Sequence, residues 1–205
     1  MGLFDWIRKA FVPEQELREE IVVTATSAYP SRQLADPFQD LYLQGDVLAP
    51  PYDPQQLVLL AETNEVHAAA LEAVAADTVG QGWHWEATRQ GADEAVRFAI
   101  EHQLDALNPE YTFSELLYQA AWELRAVGWS AWEVVRDEDG NVGAVYPIPA
   151  QTVRLTRDRN IFVQEVAGQF RYFKAFGIPD LVDGTTGKYV EETDDPATEI
   201  IFFSR

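Results

Sequence analysis

Cysteine is absent from this chain of 205 residues, and that absence excludes several classes of protein. A chain without thiols forms no disulfide scaffold, no Cys-ligated zinc site, no iron–sulfur cluster and no thiol nucleophile. Basic residues are scarce as well, since 15 Lys and Arg stand against 34 Asp and Glu and the formal charge is −19. This acidic surplus, whether it reflects the host's protein composition or a function, argues against a surface that grips DNA, RNA or anionic lipid.

Long apolar runs are also missing. No stretch approaches the roughly 18 consecutive apolar residues that a transmembrane helix needs, so we expect no contact with a membrane. The first residues of the chain carry charges within an apolar stretch and lack the cleavage site of a signal peptide. Apolar residues nevertheless make up 47% of the chain and charged residues 24%, which is typical of a globular domain.

The common motifs of nucleotide binding and hydrolysis are absent too: there is no G-x-x-x-x-G-K-[ST], no G-x-G-x-x-G after a strand, no G-x-S-x-G and no H-E-x-x-H. Asp137, Asp139 and Asn141 match the first ligands of a calcium loop, but Val142 and Ile148 stand where that loop needs Gly and Glu. We therefore expect no catalytic residue, no metal site and no cofactor. The histidines fall on three different elements: His67, His84 and His102.

Apolar residues at helical spacing predict three helices. The first is predicted as one continuous helix over 54–79. Asp53 is placed to cap this helix, Pro54 suits its first position, and Gly80 and Gly82 end it. Its predicted buried line consists of Leu57, Leu60 and Leu71.

The second and third helices also have boundary signals. Asn108-Pro109 stops the second helix. A capping box of Thr112 and Glu115 opens the third helix, which Gly128 ends. Their predicted buried stripes are Val96, Ile100, Leu104 and Leu107 in the second helix, and Leu116, Ala120, Leu124 and Val127 in the third.

Alternation of apolar and polar residues predicts strands elsewhere in the chain. Residues 83–88 alternate around Trp83 and Trp85, and residues 128–148 form a hairpin with its turn at Asp139-Gly140. Helices followed by a meander of antiparallel strands predict an α+β fold, with three helices packed on the sheet. The remaining strands are predicted at 152–156, 161–166, 170–173 and 199–203.

Residues 1–47 are interpreted as an N-terminal arm, because they contain apolar residues without a periodic core of their own. Leu3, Phe4, Ile7 and Phe11 follow helical spacing. Arms of this kind dock on another surface, often a neighbouring subunit, and a flexible leader is the alternative. Residues 48–205 then form one α+β domain.

Three stretches, taken in order, resemble the portal proteins of tailed bacteriophages and related archaeal viruses. They are LAPPYDPQQL at 48–57, the alanine-rich helix with its glycine ending at 60–82, and residues 113–156, which supply a helix and then GWSAWEVVRDEDGNVGAVYPIPAQTVRL. The closing EIIFF is similar to the strand that precedes the family's stem. The residues that carry the resemblance are Pro50, Pro51, Tyr52, Asp53, Asn64, Gly82, Gly128, Trp132, Glu133, Gly140 and Pro149.

The resemblance implies the wing part of a portal subunit, without the stem, clip and crown of the family. It implies a structural subunit of a head–tail connector ring, commonly a dodecamer, through which genomic DNA is packaged and ejected. The implied partners are further copies of the chain, the capsid, the terminase packaging motor and tail-adaptor proteins, with transient passage of double-stranded DNA. The implied location is the portal vertex of the virion, after assembly in the host cytoplasm.

The acidity of the chain fits a conduit, because basic contacts to phosphates would hold the DNA in place. It fits a salt-adapted soluble enzyme equally well. Two other classes therefore stay open: another viral structural or interaction protein, such as an acidic DNA mimic, and a hydrolase that uses carboxylates. A concave pocket with two converging acids would indicate the hydrolase, and rows of exposed acids would indicate the mimic.

Overall fold

The computed structural model describes residues 36–80, 82–83, 86, 91 and 93–204. Within these ranges the chain has the predicted α+β fold, with five α-helices and a six-stranded, mostly antiparallel sheet. The helices are α1 (Gln39–Gln44), α2 (Pro54–Thr63), α3 (Glu65–Val79), α4 (Glu94–Asp105) and α5 (Phe113–Ala126). The strands are β1 (Trp129–Arg136), β2 (Val142–Ile148), β3 (Val153–Leu155), β4 (Ile161–Val166), β5 (Gln169–Ala175) and β6 (Glu199–Ser204), with a 3₁₀ turn at Ala150–Thr152.

The prediction of one continuous helix over 54–79 is wrong, because the chain forms two helices there. Asn64 lies between α2 and α3 with an extended backbone, at φ −115° and ψ 101°. Its side-chain oxygen accepts a hydrogen bond from the backbone N–H of His67 at 3.0 Å. A short polar side chain that satisfies a free N–H favours a new helix start over continuation. Asp53 caps α2 as predicted, by accepting from the N–H of Gln55 at 2.9 Å.

The break at Asn64 changes which apolar residues face the core. Leu71 is only 7% exposed, as predicted, whereas Leu60 is 43% exposed and its predicted burial is wrong. Ala61 and Ala75 are buried instead. A non-helical residue between two helices resets the angular phase, so a stripe drawn through both helices follows neither of them.

Helix α4 is less buried than its apolar stripe predicts. Val96 is 55% exposed and Ile100 37% exposed, so the predicted burial of these two residues is wrong. No residue within α4 is buried. The helix reaches the core only at its C-terminal end, where half-buried Leu104 and buried Leu107 pack.

Helix α5 has the predicted boundaries and capping box. The hydroxyl of Thr112 accepts from the N–H of Glu115, and the Glu115 carboxylate accepts from the N–H of Thr112 at 2.7 Å. Leu116 and Ala120 are buried as expected, but the third buried position is Glu123 rather than Leu124. The strand predicted at 83–88 is not seen at Trp83 or Glu86, and its other residues lie outside the described ones.

The sheet has the strand order β2-β1-β6-β5-β4-β3. The predicted hairpin β1–β2 is confirmed, and its turn contains Gly140 with the positive φ of 81° that favours glycine. Strands β3, β4 and β5 form an antiparallel meander on the other side of β6 from this hairpin. The last strand, β6, enters the middle of the sheet and pairs antiparallel with β1 and parallel with β5.

The core lies on both faces of this sheet. Helix α5 covers one face, where Leu116 and Ala120 pack against Trp132, Val134 and Val145. On the opposite face a second cluster has its own buried residues. They are Ala131, Ile148, Val153, Phe162, Phe173 and Ile200.

Both outer strands have hydrogen-bond partners from other parts of the same chain. At β2, the N–H of Val145 donates to the carbonyl of Leu107 at 2.8 Å, and the side-chain amide of Asn108 donates to the carbonyl of Val145. At β3, the N–H of Leu48 donates to the carbonyl of Leu155 at 2.9 Å. Unpaired strand edges invite pairing with another chain, so these contacts disfavour association through strand addition.

Part of the predicted arm packs on the sheet of its own chain. Phe38 is fully buried beside Val47 and Val163, and Val47 forms a bridge with Thr156. A compact unit of the structure spans Leu34–Arg205. Docking of the arm on a neighbouring subunit stays a prediction, and residues 1–35 lie outside the described part of the chain.

We predict that Leu71→Ala lowers the free energy of unfolding by about 2–5 kcal/mol, because the side chain is buried between helices. The matched control is Leu60→Ala on α2, which removes the same atoms from an exposed position and costs much less. Urea denaturation of the two variants measures both values. Equal losses would contradict the register of α2 and α3.

Candidate functional site

Two of the residues that carry the family resemblance, Tyr52 and Gly128, meet where α2 begins and α5 ends. The hydroxyl of Tyr52 donates a hydrogen bond to the carbonyl of Val127 at 2.8 Å. The next residue, Gly128, has φ +99°, and a Cβ there would lie 2.7 Å from the Tyr52 hydroxyl oxygen. Only glycine satisfies both the backbone angle and the close approach. We call Tyr52, Val127 and Gly128 the helix–sheet junction.

Trp129 extends the helix–sheet junction into the sheet. Its indole ring stacks on Tyr52 with ring centres 6.2 Å apart and an angle of 18° between the planes. Its Nε1–H donates to the carbonyl of Ala150 at 2.8 Å. Pro149 and Ala150 begin the 3₁₀ turn that leads into β3. One aromatic pair thus ties together α2, β1 and the turn after β2.

Glu123 is a buried acid beside the helix–sheet junction. One carboxylate oxygen accepts from the hydroxyl of Ser130 at 2.6 Å, and the other accepts from the N–H of Ala150 at 3.2 Å. The residue is 5% exposed, and burial raises the pKa of its carboxyl, although donors from Ser130, Ala150 and Gln119 oppose the shift. Hydrogen bonds from two elements make Glu123 a connector of α5, β1 and the 3₁₀ turn.

Arg154 is a buried base, at 2% exposure. Its Nε donates to the hydroxyl of Tyr42 at 2.7 Å, and its guanidinium lies 4.5 Å from the ring centre of Phe38. Asp36 is 3.8 Å from the guanidinium and accepts from the Tyr42 hydroxyl. Burial raises the pKa of Tyr42 to about 12, with a smaller opposing effect of Arg154. This cluster fastens residues 36–47 to β3.

The other motif residues occupy separate structural positions. Asn64 caps α3, Gly82 follows α3 with φ +75°, and Gly140 forms the hairpin tip. Trp132 is buried against Phe203 with ring centres 4.9 Å apart. The remaining ones are Pro50 and Pro51 before α2, the cap Asp53, and Glu133, whose carboxylate accepts from Thr198 at 2.8 Å and lies 3.9 Å from Arg171.

The acids that resemble a calcium loop form the hairpin turn. A carboxylate oxygen of Asp137 accepts from the N–H groups of Asp139 and Asn141 at 3.0 and 2.8 Å. In the ranges that the structure describes, no three His, Asp or Glu side chains are grouped so that they could hold a metal ion. His67 and His102 lie on α3 and α4, and His84 is outside those ranges.

Sequence reasoning missed Glu123, Arg154 and Tyr42. The position of Glu123 carried a signal, since it lies three residues after Ala120 on the apolar side of α5. Arg154 lies in a stretch that resembles the portal family, but no local pattern indicated its burial, because its partner Tyr42 is 112 residues away. The site as a whole holds backbone segments in place: its contacts are aromatic pairs, backbone carbonyls and two separate buried charges.

None of the helices that the structure describes combines the length and the apolarity needed to cross a membrane.

No protein-family model matches the chain. Two curated proteins of Bacillus subtilis (strain 168) are similar to it. The phage-like element PBSX protein XkdE is 25% identical over 212 residues, which cover 86% of this chain and 43% of that protein. The uncharacterized protein YqbA is 21% identical over 228 residues, which cover 93% and 44%. The chain thus spans less than half the length of these curated relatives.

Two solved structures share the fold. One chain in the neck of an empty gene transfer agent particle, computed with C6 symmetry, matches with a TM-score of 0.52 and 18% identity over 65% of this chain and 36% of that one. One chain in the virion of a native gene transfer agent particle matches with a TM-score of 0.51 and 16% identity over 75% and 40%. At these identities the matches establish a common fold.

We predict that Gly128→Ala destabilises the domain more than Gly140→Ala does. Both glycines have positive φ, so the backbone strain is shared, but only the Gly128 site has an atom in the way of a Cβ. Overpacking of this kind costs about 1–3 kcal/mol beyond the strain. Adding Tyr52→Phe removes the obstructing hydroxyl, so the double variant is more stable than the sum of the single losses predicts. Thermal and urea unfolding measure the four variants, and strict additivity would contradict the clash.

We predict that Glu123→Gln removes the contribution of Glu123 to the pH dependence of the free energy of unfolding. The folded-state pKa of Glu123 lies above the ordinary value of 4.5, so the folded state holds the proton more tightly. Stability from this group therefore rises as the pH falls through the folded pKa towards 4.5, and is lost as the pH rises. Urea unfolding of wild type and variant between pH 4.5 and 8 measures the difference. The exposed Glu138→Gln is the control, and parallel curves for wild type and Glu123→Gln would contradict the assignment.

Proposed function

We propose that this chain is a structural subunit of a viral portal, the head–tail connector ring through which genomic DNA is packaged and ejected. The observation that carries the proposal is the agreement of two comparisons. The sequence is similar to a protein of a phage-like element along 86% of the chain, and the fold recurs in the neck of a gene transfer agent particle. The first comparison supports a phage-like element as the setting of the protein, and the second supports the neck of the particle.

The architecture supports assembly through side-chain contacts rather than through the pairing of strand edges. A ring subunit needs two different contact surfaces, one for each neighbour. Both outer strands of the sheet are already partnered by Leu48, Leu107 and Asn108 of the same chain. These partners disfavour the addition of a strand from another copy, so we infer that contacts between copies fall on helices and loops.

The charge of the chain supports a passage for DNA. Each basic contact to a phosphate strengthens DNA binding by releasing counterions, and many such contacts would resist translocation. With 34 acidic and 15 basic residues, the subunit repels the phosphate backbone on average. An acidic wall lets DNA move past without being held.

The proposed role requires no catalysis by this chain, and the absence of enzymatic activity is part of the proposal. The buried acid Glu123 and the buried base Arg154 are engaged in separate contacts with backbone and aromatic groups. The proposed partners are further copies of the chain in a ring, the capsid, the packaging motor and tail-adaptor proteins. The proposed location is the portal vertex of the virion.

We predict that the chain is monomeric or weakly associated in dilute buffer at low salt and forms larger assemblies at high salt. A charge of −19 per chain opposes association, and at 0.1 M salt this repulsion extends over a Debye length of about 10 Å. Static light scattering across a salt series measures the mass.

The matched variant lacks residues 1–33 and keeps the compact unit Leu34–Arg205. If the arm contributes to contacts between subunits, this variant assembles less at every salt concentration. A stable dimer in both forms, indifferent to salt, would contradict the ring subunit and favour an ordinary soluble domain.

A further inference from the structure

Phe98 is an aromatic side chain on the outside of the domain. It is 59% exposed, and it lies on α4, a helix without buried residues. An exposed phenylalanine leaves most of its ring in water, and its burial against another apolar surface is favourable. Its neighbour Arg97 lies with its guanidinium 4.4 Å from the ring centre. Nothing in the packing of the described domain accounts for an aromatic residue at this position.

An open, mainly apolar cavity lies on the other side of the sheet from α5. It has a volume of about 370 Å³ and is lined mainly by apolar side chains, among them Phe162, Phe176 and Phe202. Phe176 is 47% exposed at its rim. An apolar cavity of about 150 Å³ is enough to bind benzene, so this cavity has room for a phenylalanine ring.

The charges around the two features are complementary. Helix α4 and its cap carry four acids and one base. The base, Arg97, is paired with Glu94 at 2.9 Å and with Glu101 at 2.7 Å, so the helix keeps a net negative charge. At the cavity, Arg159 is a lining residue and the guanidinium of Arg136 lies 5.5 Å from the ring centre of Phe176, although Arg136 also pairs with Glu199. The helix that carries Phe98 has a surplus of acids, whereas the residues that line the cavity include one base, Arg159, and no acid.

We propose that Phe98 of one copy inserts into the cavity beside Phe176 of the next copy, with the acids of α4 facing Arg159. The contact joins two different surfaces, so it continues from copy to copy and closes into a ring when the rotation allows it. This inference rests on the proposed ring and identifies one of its contacts. It also gives the exposed face of α4 a partner.

The absence of cysteine allows a direct cross-linking test. Cysteines are introduced at Ala99, next to Phe98, and at Asn160, next to Arg159, and both positions are exposed and outside the cavity lining. A short bismaleimide is added under conditions in which wild-type chain associates. The double variant Ala99→Cys/Asn160→Cys gives a ladder of dimers, trimers and larger species, whereas a mixture of the two single variants stops at dimers. The control pair Ala69→Cys/Asn160→Cys, with its first cysteine on the exposed side of α3, gives little product.

Two further substitutions separate this contact from the ring itself. Phe98→Ser and Arg159→Glu each weaken association by about tenfold or more in sedimentation, while the thermal unfolding of the isolated chain stays unchanged. Association that persists with Phe98→Ser, without the Ala99–Asn160 ladder, would overturn the contact and leave the proposed ring in place. A wild-type chain that stays monomeric at every salt and protein concentration would count against both.

Discussion

The hydrogen bond from the Tyr52 hydroxyl to the carbonyl of Val127 is the contact on which the rest of the domain depends. It joins the start of α2 to the end of α5, and it requires Gly128, where a Cβ would meet the Tyr52 oxygen. Trp129 stacks on the same tyrosine and bonds the carbonyl of Ala150, so β1 and the turn before β3 are set from the same point. These contacts fix α2, α5 and β1 relative to one another.

Local signals in the sequence were sufficient for most of the secondary structure. The capping box at Thr112 and Glu115 and the glycine turn at Gly140 act within four residues, so a sequence pattern contains all of their chemistry. The division at Asn64 was also local, but a continuous apolar stripe obscured it, and Leu60 was assigned to the core as a result. The predicted burial of the apolar stripe on α4 was wrong for a similar reason. Helical spacing indicates which residues share a face, but it does not indicate whether another element covers that face.

Contacts between distant parts of the chain were beyond the sequence. Arg154 is buried because Tyr42 and Phe38, more than 100 residues earlier, surround its guanidinium. The insertion of β6 between β1 and β5 likewise depends on two sheet edges that no local pattern describes. The motif residues from the portal resemblance were recognised as a set, yet only the structure shows that Tyr52 and Gly128 touch.

The domain combines a sheet with hydrogen-bond partners at both edges, aromatic contacts that join the helices to the sheet, and a strongly acidic composition. From these features we propose a subunit that contacts its neighbours without holding the DNA. The most direct measurement is electron microscopy of the longest form of the protein that can be expressed. The account predicts rings of identical subunits around a central channel wide enough for double-stranded DNA. Uniform monomers, or closed dimers without a channel, under all conditions tested would contradict it.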